Sequence, residues 1–134
     1  LVRLSKKVEY GLIAIRHIAA MPVGSVVTAR EIAHVYGIPY EMLAKILQKL
    51  TKGNLIVSFH GVHGGYQLAK SPADVRVSSI INAIEGAAPT ITQCIADGPE
   101  SCTIFPVCTI KTPLLKVQEN IEMAFHRMTL AEIV

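Results

Sequence analysis

Three cysteines, Cys94, Cys102 and Cys108, stand with seven and then five residues between successive members. On a segment able to curl, thiolates at that spacing can turn toward one inorganic centre. Structural zinc usually takes four ligands in tighter CxxC pairs, and this stretch has neither feature. An iron–sulfur cluster spreads its ligand positions over several irons, so it suits the looser spacing better. The alternative is three unrelated cysteines, two of them packed as small hydrophobes. An odd cysteine count argues against a closed disulfide framework.

Other chemistries find less support. A nucleophilic cysteine needs a neighbouring base, and no histidine lies between His63 and His126. No P-loop or GxGxxG fingerprint occurs, and the glycines from Gly61 to Gly65 lack the Lys-Ser/Thr ending of a phosphate loop. His17, His34 and His126 fall on helical stretches and read as ordinary, partly buried histidines. An enzyme, metal-dependent or otherwise, is therefore not expected.

The elements that must position the cysteines can be read from periodicity. Leu4, Val8, Leu12, Ile15 and Ala19 mark one stripe of a helix over 5–20, ended by Met21-Pro22 and Gly24. Thr28 with Glu31 three residues on matches a capping box and opens a short helix to Tyr36. Gly37 breaks it, and Pro39 starts a third helix over 39–52, with Met42, Leu43, Ile46, Leu47 and Leu50 inward. Two helices around such a turn make a helix-turn-helix, whose second member turns Tyr40, Glu41, Ala44, Lys45, Gln48, Lys49 and Lys52 outward. Residues 55–60 alternate as a strand and Tyr66-Gln67-Leu68 returns, forming a β-hairpin wing with Gly61, Gly64 and Gly65 near its tip. There the glycines let backbone amides approach a phosphate, with His60 and His63 as nearby donors.

A short helix over Val77–Glu85 follows. Residues 87–113 then read as one loop carrying all three cysteines, a length that calls for a function or an internal staple. Leu114, Val117, Ile121, Ala124 and Met128 step by three and four as a coiled-coil seam would, so the last helix packs on its own domain or on a second copy. The expected fold is mainly α with a small β-hairpin. It comprises a winged helix-turn-helix over 1–76, then a cysteine-bearing loop and dimerisation helix over 77–134.

Charge follows that division. The chain of 134 residues carries net +3, but residues 1–76 hold ten Lys/Arg against four Asp/Glu, and 77–134 hold three against six. A basic first half suits a polyanion, and the same count also fits a solvated basic face. The absence of tryptophan and the 5% aromatic content disfavour a stacking surface for single strands. No apolar run is long enough to span a membrane, and Arg3, Lys6 and Lys7 lead into no cleavage pattern, so a cytoplasmic protein is expected.

Arg3-Leu4-Ser5-Lys6, the helix pair, Leu50-Thr51-Lys52-Gly53-Asn54-Leu55-Ile56, the wing Gly61-Val62-His63-Gly64-Gly65-Tyr66 and the cysteine triplet occur here in that order. Together they resemble the Rrf-two family of winged-helix regulators, the group of IscR, NsrR, RirA and CymR, over nearly the whole chain. The resemblance implies a homodimer formed through the C-terminal helix, binding a double-stranded operator, most often as a repressor. It also implies an iron–sulfur cluster between the cysteine segment of one subunit and the first helix of the other. IscR-like members place a histidine ligand three residues after the third cysteine, where this chain has Lys111. The resemblance is therefore to the three-cysteine members, with a 4Fe–4S cluster favoured over 2Fe–2S. In some of these a carboxylate from the partner's first helix completes the site. The matching residue is Glu9, which on its own reads equally as a first-turn acid favoured by the helix dipole. His60 stands where many relatives carry arginine, which implies a weaker, pH-dependent contact.

The metal set expected is thus Cys94, Cys102, Cys108 and Glu9. The DNA set is Arg30, Tyr40, Glu41, Lys45, Gln48, Lys49, His60, His63, Gly64 and Gly65, with Gln48 and Glu41 able to read base edges. Iron supply, nitric oxide or redox state would be the signal. The alternative is a clusterless regulator of the same fold that senses a small molecule, thiol oxidation or a partner protein.

Overall fold

The computed structural model describes residues 3–134. Helix α1 runs Lys6–Ala20, with the Ser5 hydroxyl accepting from the Val8 amide as its N-cap. Its buried face is Val8, Gly11, Ala14, Ile15 and Ile18, while Leu12 and Ala19 of the expected stripe flank it, partly buried. Gly11 lies where α1 comes against its neighbours. A Cβ there would overlap the Cδ1 methyl of Ile84 and fall 3.3 Å from Cγ2 of Ile46, so the missing side chain is what permits the approach.

Helix α2 (Ala29–Tyr36) ends at Gly37 in the left-handed conformation, and α3 (Tyr40–Lys52) begins after Pro39. Half of the capping box forms: Thr28 Oγ1 accepts from the Glu31 amide at 3.1 Å. The Glu31 carboxylate instead faces His17 Nε2 at 3.7 Å, and His17 Nδ1 meets the Tyr36 hydroxyl at 2.8 Å. His17 thus ties the end of α2 to α1 through Tyr36, while its buried Nε2 has no hydrogen-bond partner among the described residues. His34 and His126, expected partly buried, are exposed, although His126 faces α4, with its Nδ1 3.4 Å from Ser78 Oγ.

Strands β1 (Ile56–Phe59) and β2 (Gly65–Leu68) pair antiparallel, with Ser58 opposite Tyr66 and Phe59 opposite Gly65. Tyr66 also bridges Val27, exchanging backbone hydrogen bonds of 2.8 and 3.0 Å, which moors the wing to the segment before α2. That mooring selects the buried face of the hairpin. Ile56 is buried, whereas Val57 and Phe59 point outward and are exposed.

Helix α4 (Val77–Glu85) packs on α1, α3 and the last helix. Val75, Val77, Ile80, Ile81 and Ile84 join Ile15, Ile32, Leu43, Leu47 and Leu50 in one core that draws on both sides of residue 76. The segment expected as a bare loop is ordered by local turns: helix α5 (Gln93–Asp97) and 3-10 turns at Pro99–Ser101 and Phe105–Val107. Prolines at the start of both 3-10 turns suit them because φ is already set there. Helix α6 (Lys111–Arg127) starts before Pro113, which falls in the first turn where no intrahelical N–H is required. After α6 the chain returns to the start of α4, with Val77 N–H donating to Met128 O at 2.9 Å and Leu130 N–H to Val75 O at 2.8 Å.

Within the chain α6 turns Leu114, Gln118, Ile121 and Phe125 inward, so of the expected seam Leu114 and Ile121 pack on the chain's own domain. Val117, Ala124 and Met128 form a separate exposed row beside them. Among the described residues no helix is long and apolar enough to cross a membrane.

Candidate functional site

Helix α3 sits on the core through Leu43, Ile46, Leu47 and Leu50, which leaves Tyr40, Glu41, Lys45, Gln48, Lys49 and Lys52 exposed along its outer face. The Arg30 guanidinium, at the start of α2, lies 5.0 Å from the centroid of the Tyr40 ring, so a cation–π contact links the two helices of the pair. Lys49 has a structural attachment: its ammonium donates to the Ile84 carbonyl at 3.2 Å, in the last turn of α4.

The wing stands beside α3, and a cleft of about 550 Å³ separates them. From α3 it is lined by Lys45, Gln48, Lys49, Thr51 and Lys52, and from the wing by Ser58, His60 and Tyr66. Among the described residues no carboxylate belongs to that lining. Thr51, Ser58 and Tyr66 are functional candidates that sequence reasoning did not single out. The signal for Ser58 and Tyr66 was the strand alternation, since they face each other across the hairpin and both turn to the helix side, whereas Thr51 lies on α3 and donates its hydroxyl to Leu47 O at 2.8 Å. Burial, and secondarily the neighbouring Tyr40, pushes the Tyr66 phenol above its usual pKa of 10.0, so its hydroxyl remains a donor.

The other wing residues are brought near but differ in kind. His63 and Val62 are exposed at the tip. Gly64 spends its amide on the Gly61 carbonyl at 3.0 Å. A Cβ on Gly65, whose φ is +149°, would fall 2.7 Å from the Val27 carbonyl. Turn closure and mooring to Val27 thus account for both glycines.

Successive short turns present the cysteines. Cys94 is in the first turn of α5, its sulfur 3.2 Å from Oγ1 of the N-cap Thr92. Cys102 and Cys108 each follow a 3-10 turn, and the turns are chained: Phe105 N–H donates to Cys102 O, and Cys108 N–H to Phe105 O, both at 3.2 Å. Lys111 locks the second turn, its ammonium donating to Phe105 O at 3.0 Å and lying 4.3 Å from the ring centroid. All three thiols are free and half-buried. As a soft thiolate set they fit an iron–sulfur cluster in chemistry. Among the described residues, however, no group of three or more His, Cys, Asp or Glu side chains is gathered to hold a metal ion. Glu9 is half-buried in the first turn of α1 and ion-paired with Lys6 at 3.2 Å.

A helix-turn-helix continued by a hairpin wing defines a winged-helix protein. The particular family follows from the chain as a whole: residues 4–134 match the model of Rrf2, described as an iron-dependent transcriptional regulator, and the protein belongs to that family. Its fold is similar to that of T. potens IscR, at 27% identity and a TM-score of 0.75 over 98% of this chain and 85% of that one. CymR (YrzC), the global cysteine regulator of B. subtilis, is similar at 19% identity and a TM-score of 0.78, covering 99% and 96% of the two chains. The oxidized form of Staphylococcus aureus CymR matches at 21% identity and 0.73, covering 96% and 92%.

Proposed function

We propose that the protein is a homodimeric regulator that grips operator DNA with α3 and the wing, under control of an iron–sulfur cluster. The observation that carries the DNA reading is the basic, carboxylate-free cleft between those two elements. In this reading α3 enters the major groove and His60 and His63 of the wing reach the adjoining minor groove or backbone. Gln48 and Glu41 offer amide and carboxylate groups for adenine and cytosine edges, while Lys45 and Arg30 anchor the helix pair. Lys49 joins them only in part, since it also holds α4.

Cys94, Cys102 and Cys108 would hold the cluster, preferably 4Fe–4S, with Glu9 of the partner subunit as the remaining ligand. Iron supply, nitric oxide or oxidation would alter the cluster, and its presence would set operator affinity. Support comes from three cysteines free of disulfides on linked turns of one segment. The exposed row of Val117 and Ala124 on α6, continued by Met128 at its C-cap, supports pairing of two copies through that helix. Such a pairing would set the separation of the two α3 helices, through which a sensor segment can act on DNA affinity. A thiol sensor without a cluster is the second reading, favoured by the absence of a gathered ligand group among the described residues.

Anaerobic purification with iron and sulfide assay decides between them. An operator selected from random duplexes should bind the wild type with an affinity that changes about tenfold or more on cluster loss, a coupling of roughly 1.4 kcal/mol or above. Cys102→Ala should abolish iron and sulfide and reproduce that change. A colourless, iron-free wild type whose operator affinity shifts on thiol oxidation would replace the cluster reading with the second one.

A further inference from the structure

Helices α4 and α6 run antiparallel. Val77 N–H donates to Met128 O where α4 begins and α6 ends, and Gln118, nearer the start of α6, bonds Pro89 and Ile91 beyond the end of α4. Side chains one turn apart on the two helices therefore meet in rungs. Ser78 stands against His126, with Oγ 3.4 Å from Nδ1, and the next rung is Asn82 with Glu122. All four line one cavity of about 330 Å³, which Ala87 and Ala88 also line. Asn82, Glu122 and His126 are exposed, so the cavity is reachable from solvent. Among the described residues its lining holds one carboxylate and no Lys or Arg. Arg76 is close, but it donates to the His126 carbonyl at 3.0 Å and stays outside the lining.

A carboxylate and an imidazole at positions i and i+4 are neighbours on one helix face, the spacing at which helical ligand pairs take a divalent metal. Each member of this pair has a partner that orients it. A ring that donates its Nδ1–H to Ser78 keeps its lone pair on Nε2, the nitrogen a metal needs. The Gln118 amide, buried to 1% exposure, donates to Glu122 Oε1 at 3.4 Å and leaves the other carboxylate oxygen for a ligand. From the facing helix the Asn82 side-chain oxygen adds a third donor. Nitrogen and oxygen donors in this mixture suit a borderline divalent ion such as nickel or zinc, whereas the thiols of the cysteine segment suit iron and sulfide.

We propose that Glu122, His126 and Asn82 form a binding site for one divalent transition-metal ion, with water completing the coordination and Ser78 and Gln118 as positioning residues. The ion ties α6 to α4 and, through Gln118, to the first residues of the cysteine segment. The site is separate from the cysteines and depends on neither the DNA reading nor the cluster reading.

The test titrates nickel(II) into the full chain with its thiols intact and reads NMR signals residue by residue, because paramagnetic broadening locates the ion. In the wild type the His126 ring and the amides of Asn82 and Glu122 should broaden at micromolar nickel. Glu122→Gln removes the charged ligand from an exposed position and should weaken that response by about tenfold or more. Ser78→Ala keeps every ligand and removes only the partner of Nδ1, and it should also weaken nickel binding about tenfold at an unchanged metal-free melting temperature. A lower melting temperature with unchanged nickel affinity would overturn the positioning role of Ser78. Equal broadening of His126 in the wild type and in Glu122→Gln would reduce the site to a lone surface imidazole and overturn it. Broadening confined to residues around Cys94, Cys102 and Cys108, or none at all, would overturn it as well.

Discussion

Gln118 donates its side-chain amide to the Pro89 carbonyl at 2.8 Å and with its oxygen accepts the Ile91 amide at 3.0 Å, fastening α6 to the start of the cysteine segment. The side chain is 1% exposed, and its Nε2 also reaches Glu122 at 3.4 Å. A buried amide satisfied in this way behaves as a specific fastener, because losing it strands the backbone groups it served.

Gln118→Leu should therefore cost about 1–3 kcal/mol for each backbone group left without a partner, read as a lower urea midpoint. The loss should be local as well as global. Amides from Ile91 through α5 should exchange faster in hydrogen-exchange measurements while those of α3 keep their protection. Unchanged protection in that stretch would mean that apolar packing, and not the amide, fixes the segment.

Lys111 does for the third cysteine what Gln118 does for the first. Its hydrogen bond to Phe105 O and its place over the Phe105 ring hold the turn that ends at Cys108. Replacing it by methionine keeps the stem and removes the ammonium. The hydrogen bond and the cation–π contact together contribute about 1–2 kcal/mol. Alkylation of Cys108 in the metal-free protein should then accelerate roughly five- to thirtyfold wherever opening of the turn precedes reaction. Equal alkylation rates in the two proteins would remove Lys111 from the control of that turn.

Tyr66 gives stability a dependence on alkaline pH. Burial, with a smaller contribution from Tyr40, raises its pKa in the folded state above 10.0. The unfolded chain releases this proton first, so the folded state binds more protons in the window above 10.0. The contribution is complete below that pH and is lost as pH rises through the folded value. Denaturation midpoints should fall across this window, and Tyr66→Phe should show a shallower decline. An identical decline in the variant would assign the effect to other groups.

Much of this architecture was legible locally. Apolar spacing, the Thr28 cap and the Gly37 break fall within a few residues of one another, and they locate α2 and α3 to within a residue of their observed bounds. The outer face of α3 follows from the same periodicity, which is why Lys45, Gln48 and Lys49 could be named without coordinates. The ordering of residues 87–113 was not legible, because short 3-10 turns closed by i to i+3 bonds leave no apolar period. Gln118 was missed for a related reason: a polar residue on an apolar stripe looks like an interruption until its partners at Pro89 and Ile91 are known.

The sequence by itself determined the helix pair, the hairpin and the three thiols, since each depends on side-chain types a few positions apart. Only the tertiary structure decided which wing face turns inward, because that choice depends on pairing with Val27, far away in the chain. It likewise decided that α6 packs through Gln118 rather than through Val117, and that Ser58 and Tyr66 share a cleft with α3. Those outcomes are set by contacts between distant segments, where burial and hydrogen-bond satisfaction outweigh local preference.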